Sequence, residues 1–214
     1  MIPLLRSIAK SAGILLAYAI VGTGVLAYVY SITHTAIEQN ENDARRKLVA
    51  QTLLPGSYNN DLLRNQLTLP ADPLLGTDSA SHAWQARLNN VPTAVVLEAT
   101  APDGYSGKIE LLVGVAADGK LSGVRVVSHK ETPGLGDYID IAKSPWIHIF
   151  DGKSLRDPDA AGWHVKKDGG QFDYMAGATI TPRAVIKAVH HALQYVKLHR
   201  AALFATQVGT GGKT

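Results

Sequence analysis

The chain has 214 residues, a formal net charge of +3 and no cysteine. Without cysteine it can hold no disulfide, no thiolate metal site and no cysteine-ligated iron–sulfur cluster. The small net charge and the lack of a basic run with interleaved aromatic residues argue against a nucleic-acid partner. Composition therefore leaves membrane, small-molecule and protein-binding functions open.

The first element is an apolar run, residues 11–32, that contains no charged side chain. As a helix it is about 33 Å long, enough for a hydrocarbon core of about 30 Å. A cleaved signal peptide would have a shorter apolar region of about 7–15 residues, and a small-residue cleavage site is missing after this run. A buried soluble helix would need apolar partners on every side. We predict an uncleaved transmembrane helix over 11–32.

The charges that flank this run predict its orientation. Arg6 and Lys10 precede it, and Glu38, Glu41 and Asp43 are the first charges after it. Because positive charge resists translocation, residues 1–10 are expected in the cytoplasm and the bulk of the chain on the other side of the membrane.

The remaining elements follow in chain order. Residues 37–54 have a helical pattern that Pro55-Gly56 ends, so a stalk helix is predicted over 33–56. Residues 59–88 are mixed and rich in turns. Strands are predicted at 94–100, 108–116 and 121–128, the last two joined by the hairpin turn 117–120. These ranges describe an α+β fold with an antiparallel sheet.

The second half of the outer region predicts packed helices and turns. Residues 143–167 hold Trp146, Phe150 and Trp163 amid turns and are expected to cover the core. A helix is predicted from Pro182 to Phe204, with an apolar face at Val185, Val189, Ala192 and Val196. On that helix His190, His191 and His199 lack a carboxylate at ligand spacing, which favours solvated or packing histidines over a metal site. The tail, 206–214, lacks the spacing of a phosphate loop.

Three stretches contain more glycine and small residues than strands and turns require: 104–107, 129–137 and 173–182. Glycine allows close backbone approach to a ligand and leaves amide N–H groups available as donors. Taken singly, GYSG reads as a turn and ETPGLGD as a loop leaving a strand.

The third stretch reads DYMAGATITP. Thr181 is a good helix N-cap and Pro182 suits the first helical position. Thr179 then lies just before a helix N-terminus, where free N–H groups and the helix dipole favour an anionic phosphate. A phosphoester on the Thr179 hydroxyl would be electrostatically supported there. The small residues Ala176, Gly177 and Ala178 would keep the approach clear.

This stretch resembles the pattern D-x-x-[ST]-G-A-T, at which a flavin transferase attaches FMN through a phosphoester to the final threonine. Residues Asp173 to Thr179 match it except at Ala176, where serine or threonine is usual. With GYSG, HKETPGLGD and the single apolar span, nearly the whole chain resembles the G subunit of the Rnf (Rsx) electron transport complex. The C subunit of the sodium-pumping NADH:quinone oxidoreductase shares the FMN-binding domain and is the nearest alternative.

The resemblance implies a transmembrane helix followed by a single periplasmic FMN-binding domain over 57–205, in the bacterial inner membrane. It implies covalent FMN on Thr179, and electron transfer inside a complex that couples electron flow between ferredoxin and NAD to ion movement. Such a subunit has no substrate of its own. Its partners would be other Rnf subunits, the flavin transferase and the lipid bilayer. A membrane-anchored scaffold or ligand-binding domain without a redox role remains the alternative from another class.

The predicted flavin contacts come from all three glycine-rich stretches. Backbone amides of Thr132–Gly136 are expected to face the flavin, with Leu135 on the ring and Tyr105 on its other side. Glu131 would orient its loop or contact the flavin, and Lys130 is expected to be solvated. The predicted cofactor-binding residues are Thr179, Gly177, Ala178, Asp173, Glu131, Thr132, Leu135, Gly136 and Tyr105.

Overall fold

The computed structural model describes residues 2–205, and the chain divides after Arg45 into two units. The predicted tail 206–214 lies outside the described residues. Helix α1, Ile2–Gln51, supplies the whole first unit and continues to the start of the second. Its stretch Ile8–His34 is long and apolar enough to cross a membrane, and its most apolar part is unburied. The helix ends at Gln51, before the predicted limit at residue 56, and Gly56 follows it in the left-handed backbone region at φ 75°.

A five-stranded antiparallel sheet forms the centre of the second unit, which confirms the predicted α+β fold. Its strands are β1 (Gln66–Leu69), β2 (Ser81–Leu88), β3 (Val91–Ala101), β4 (Ile109–Ala116) and β5 (Leu121–Ser128). They pair in sequence order, so each strand lies beside the next one in the chain. The predicted turn between β4 and β5 is confirmed, with Gly119 at φ 88° and the Lys120 N–H bonded to the Asp118 carboxylate.

The first two strands were not expected, because residues 59–88 read as turn-rich. Strand β2 is buried at almost every position, so it shows none of the alternation that identifies a half-exposed strand. Its hairpin with β3 turns at Asn89 and Asn90, both with positive φ. A type I′ hairpin requires positive φ at both turn residues, and asparagine tolerates this left-handed backbone conformation.

One face of the sheet packs against helix α2, Ile180–Leu198, which is followed by the short helix α3, Arg200–Leu203. The predicted apolar face of α2 is confirmed, since Val185, Val189, Ala192 and Val196 are buried in the main core with β3 and β4. The helix begins at Ile180, two residues before the predicted start. The single predicted helix to Phe204 is divided at His199.

An aromatic layer closes the same core, as predicted for residues 143–167. Trp146 and Phe150 belong to a 3₁₀ helix, Pro145–Phe150, and their rings meet edge to face at 5.6 Å. Phe150, Trp163 and Phe172 pack on one another with ring centroids 5.0–6.4 Å apart. In the sequence, Phe172 of this layer directly precedes the stretch that contains Thr179.

The opposite face of the sheet is covered by the end of α1. Val49 and Leu53 are buried in a second core with Trp84 of β2 and Leu112 of β4. The backbone crosses β4 at Gly114, where an added Cβ would lie 2.4 Å from the carbonyl oxygen of Thr52. The folded domain therefore begins near Arg46, earlier than the predicted boundary at residue 57.

Candidate functional site

The three glycine-rich stretches converge on one open cleft of about 300 Å³. Eight of the nine predicted site residues line it, and Asp173 does not. The lining residues are Tyr105, Glu131, Thr132, Leu135, Gly136, Gly177, Ala178, Thr179, Ile180 and Thr181. Residues about 75 positions apart in sequence thus form one site.

Glu131 is the residue that joins these stretches. It is 4% exposed, and its two carboxylate oxygens accept hydrogen bonds from different segments. One accepts from the backbone N–H of Ser106 at 2.9 Å, and the other accepts from the Thr181 hydroxyl. Both oxygens are therefore used within the protein. Glu131 thus links its own loop to the other two stretches, and its predicted role toward a flavin stays a prediction.

The amides of the loop that follows Glu131 are not free donors. The N–H groups of Leu135 and Gly136 both donate to the Thr132 carbonyl, at 3.1 and 2.9 Å. Gly134 donates to the Asp137 carboxylate at 2.8 Å. These three N–H groups are thus bonded within the loop, and the expectation that they face a flavin stays a prediction. What the loop presents to the cleft is the Leu135 side chain.

The start of α2 differs from the sequence prediction at its cap. Thr179 occupies the N-cap position, and its side chain makes no capping hydrogen bond. Thr181, predicted as the cap, lies within the first turn and is 1% exposed. Pro182 is then the third helical residue, where its missing N–H still leaves no intrahelical bond broken. The cap prediction was wrong because the Thr181 hydroxyl bonds to Glu131, a residue distant in sequence.

A tight turn directly before Thr179 places this residue at the cleft. The Ala178 N–H donates to the Met175 carbonyl at 3.1 Å, and Gly177 within this turn has a φ of 91°. Glycine is needed at that φ, since other residues rarely adopt it. Gly177 also lies against the other wall, because an added Cβ there would be 4.0 Å from the Leu135 Cδ2 atom.

Two aromatic side chains hold the other end of this stretch. The indole N–H of Trp146 donates to the Asp173 carbonyl at 2.8 Å, and the Met175 N–H donates to the Tyr138 hydroxyl at 3.3 Å. Burial raises the pKa of Tyr138, so the phenol stays protonated. Sequence reasoning missed Tyr138, which directly follows the second glycine-rich stretch, and Ile180, which lies within the third.

The cleft fits a phosphate with an apolar planar group attached. Ile180 and Thr181 lie in the first turn of α2, where N–H groups have no intrahelical acceptor and the helix dipole favours an anion. Leu135, Tyr105 and Ile180 are 47%, 67% and 45% exposed and give the walls apolar surface. Thr179, the N-cap residue of this helix, lines the same cleft.

Asp173 stands outside the cleft on an exposed surface. Its side chain is 68% exposed and pairs with the Lys166 ammonium at 2.5 Å. Lys130 lies outside the cleft as well. The Asp173 carboxylate is therefore accessible to another protein, and it is not among the residues that line the cleft.

The helical histidines have packing surroundings. The His190 ring stacks on Trp163 with 5.0 Å between centroids and an angle of 9°. Burial, and then the neighbouring His191 and His164, lower the pKa of His190. Among the side chains that the structure describes, no three histidines or carboxylates are grouped so that they could hold a metal ion.

Two further clefts of about 320 and 380 Å³ show that size alone does not select the site. One of them is lined in part by Glu98, Glu110 and Lys108, and it contains no residue of the three glycine-rich stretches. None of the three glycine-rich stretches lines the other. Of these three clefts, the one at Thr179 combines a helix N-terminus with a hydroxyl that makes no cap bond.

Comparison with known proteins gives two family matches: an FMN-binding domain over residues 104–194, and the RnfG N-terminal region over residues 1–52. A relative from Pseudomonas aeruginosa (strain UCBPP-PA14), named as the G subunit of an ion-translocating oxidoreductase complex, is 53% identical over 206 residues, 96% of each chain. Relatives of the same name from Vibrio atlanticus (strain LGP32) and Vibrio cholerae serotype O1 (strain M66-2) are 42% and 44% identical, covering 98% and 94% of this chain and 100% and 95% of theirs. The chain belongs to this G-subunit family.

Membership of the G-subunit family confirms the predicted resemblance and favours it over the C-type alternative. The FMN-binding domain match begins at Gly104 and ends within α2, so it contains all residues that line the cleft. The cleft is therefore the candidate FMN site of this G-family chain. The RnfG N-terminal match covers α1 to its last residue and one residue beyond.

Proposed function

We propose that this chain is a membrane-anchored flavoprotein subunit that carries FMN covalently on Thr179. Within an ion-translocating oxidoreductase complex it relays electrons between neighbouring subunits, on the path between ferredoxin and NAD. One observation carries the covalent assignment: the Thr179 hydroxyl lines the cleft at the N-terminus of α2 and makes no capping hydrogen bond. A hydroxyl in that position can be esterified without loss of a structural bond.

The attachment needs an activated flavin nucleotide, because an ester does not form spontaneously from free phosphate in water. We propose a donor in which the FMN phosphate is part of a phosphoanhydride, used by a flavin transferase. A bond forms between the Thr179 Oγ and the flavin phosphorus, and the anhydride P–O bond breaks. The departing nucleoside monophosphate keeps the electron pair, and the threonine proton passes to a base of the transferase. No electron is gained or lost in this step.

The chain's own residues would hold the cofactor at both ends. The first turn of α2 supplies N–H donors and the positive end of its dipole to the phosphate. Leu135, Tyr105 and Ile180 supply apolar contact for the ring system, which accepts and releases electrons when bound. Glu131, which accepts hydrogen bonds from Ser106 and Thr181, would hold the walls of the cleft together.

The apolar stretch Ile8–His34 would anchor the chain in the bacterial inner membrane, with residues 1–10 in the cytoplasm and the FMN-binding domain in the periplasm. A tether raises the effective concentration of the flavin near its partners. A covalent bond would prevent loss of a cofactor that is made in the cytoplasm. Exposed Asp173 is the residue through which the transferase would recognise the stretch.

The test is flavin attachment to full-length chain purified from membranes. The intact mass should exceed that of the polypeptide by FMN less water, and the modified peptide should contain Thr179. Thr179→Ala should lose this mass and the in-gel flavin fluorescence, while Thr68→Ala, an exposed threonine on β1, keeps both. Flavin on a folded Thr179→Ala chain would refute the assignment. An unmodified wild-type chain from its native host would favour the scaffold alternative.

A further inference from the structure

The stretch that carries the attachment site contains two threonines with opposite surroundings. Thr181 is 1% exposed and donates its hydroxyl hydrogen bond to Glu131. Thr179 is half-buried, lines the cleft and makes no capping hydrogen bond. They are two positions apart, so local sequence alone does not decide which hydroxyl a flavin transferase can reach.

Glu131 creates this difference through contacts with three segments. Besides Thr181, it holds the backbone N–H of Ser106 in the first glycine-rich stretch, at 2.9 Å. Gly136 closes over the pair, since an added Cβ there would lie 3.0 Å from both the Glu131 Cβ and the Thr181 Oγ1 atoms. The carboxylate therefore fixes the first turn of α2 against both other walls of the cleft.

We propose that Glu131 is the positioning residue that makes Thr179 the flavin acceptor. By binding the Thr181 hydroxyl, Glu131 keeps that hydroxyl from reacting with the flavin donor. The same bond fixes the orientation of the first helical turn, which places Thr179 at the cleft. This inference rests on the proposed covalent attachment. Glu131 itself takes no part in the transfer and acts through the position of Thr179.

The test compares initial rates of flavin attachment by a flavin transferase on full-length chain in detergent. Glu131→Ala should react at least about tenfold more slowly, because a displacement of about 1 Å can reduce a rate about a hundredfold. Glu131→Gln should stay within about threefold of wild type, because its amide oxygen can accept from Ser106 and its NH₂ can donate to the Thr181 oxygen. Glu110→Gln removes a carboxylate that pairs with Lys108 outside the cleft and should react like wild type.

Peptide mapping supplies a second readout that a general loss of stability would not move. Wild type should carry flavin only at Thr179, whereas Glu131→Ala should carry a detectable fraction at Thr181. If Glu131→Ala fails to fold, Thr181→Val takes its place in the rate test and should slow attachment while Glu131→Gln does not.

A folded Glu131→Ala chain that reacts at the wild-type rate and only at Thr179 would overturn the proposal. So would Glu131→Gln as slow as Glu131→Ala, since charge rather than position would then matter. A wild-type chain that accepts no flavin at all overturns the covalent assignment itself. The wild-type sample therefore distinguishes failure of the proposed function from failure of the proposed role of Glu131.

Discussion

Thr181→Val isolates the hydrogen bond between the first turn of α2 and Glu131 at nearly constant side-chain volume. Thr181 and Glu131 are 1% and 4% exposed, so water cannot replace the lost donor. A buried acceptor left without its partner costs about 1–3 kcal/mol, and a charged one lies toward the upper end. For a domain of this size the expected decrease in Tm is about 2–12 °C.

Thr179→Ala is the contrasting variant. Although Thr179 is the N-cap residue, its side chain makes no capping bond, so the usual N-cap penalty of about 1 kcal/mol does not apply. We expect a change within about 0.5 kcal/mol. If Thr181 were a simple N-cap, as the sequence predicted, its replacement would cost only the ordinary cap penalty of about 1 kcal/mol in stability, and Glu131 would have no part in it.

Unfolding is followed by tryptophan fluorescence in urea on the full chain without flavin. All three tryptophans, Trp84, Trp146 and Trp163, are buried in the second unit and report its unfolding. Thr68→Val, on the exposed side of β1, serves as the control for a threonine-to-valine change. A stable Thr181→Val combined with a loss of more than about 1 kcal/mol in Thr179→Ala would refute the assignment of the cap and of the Glu131 bond.

Two further predictions concern acid stability and the one departure from the attachment pattern. Burial lowers the pKa of His190 from its ordinary value of 6.5. As the pH falls, the unfolded chain therefore binds a proton at this histidine before the folded chain does, and stability should fall below pH 6.5. His190→Gln should make the urea midpoint less dependent on pH between about 8 and 5.5, and an unchanged dependence would contradict this. Ala176→Ser adds a hydroxyl on an exposed turn and should leave the Tm unchanged while it increases the rate of flavin attachment. A lower rate would show that the alanine is preferred in this chain.

The parts of the fold that the sequence predicted are those with a local signal. Strand β3 is rich in β-branched residues, β4 and β5 are joined by a glycine turn, and α2 has apolar residues at helical spacing. Strand β2, Ser81–Leu88, has no such signal, because it contains no β-branched residue, yet it contributes to both cores. One face of it packs against Val49 at the end of α1 and Leu53 just after the helix, and a local pattern cannot encode that contact.

The same distinction separates the predicted from the unpredicted parts of the site. Glycine marks the three stretches, so their convergence could be expected from sequence. The bond between Thr181 and Glu131 joins residues 50 positions apart, and only the folded chain reveals it. That bond decides which threonine is buried, and therefore corrects the cap assignment while leaving Thr179 as the proposed attachment point.

The position of Thr179 is thus determined at both ends of its stretch by the interior of the domain. On the amino-terminal side, Trp146 and Tyr138 hold the backbone at Asp173 and Met175. On the carboxyl-terminal side, Glu131 holds the first turn of α2. A cofactor attached between two such fixed points would have little freedom beyond its own single bonds. The aromatic layer therefore both closes the core and, through Trp146, holds the backbone of the stretch that contains the proposed attachment point.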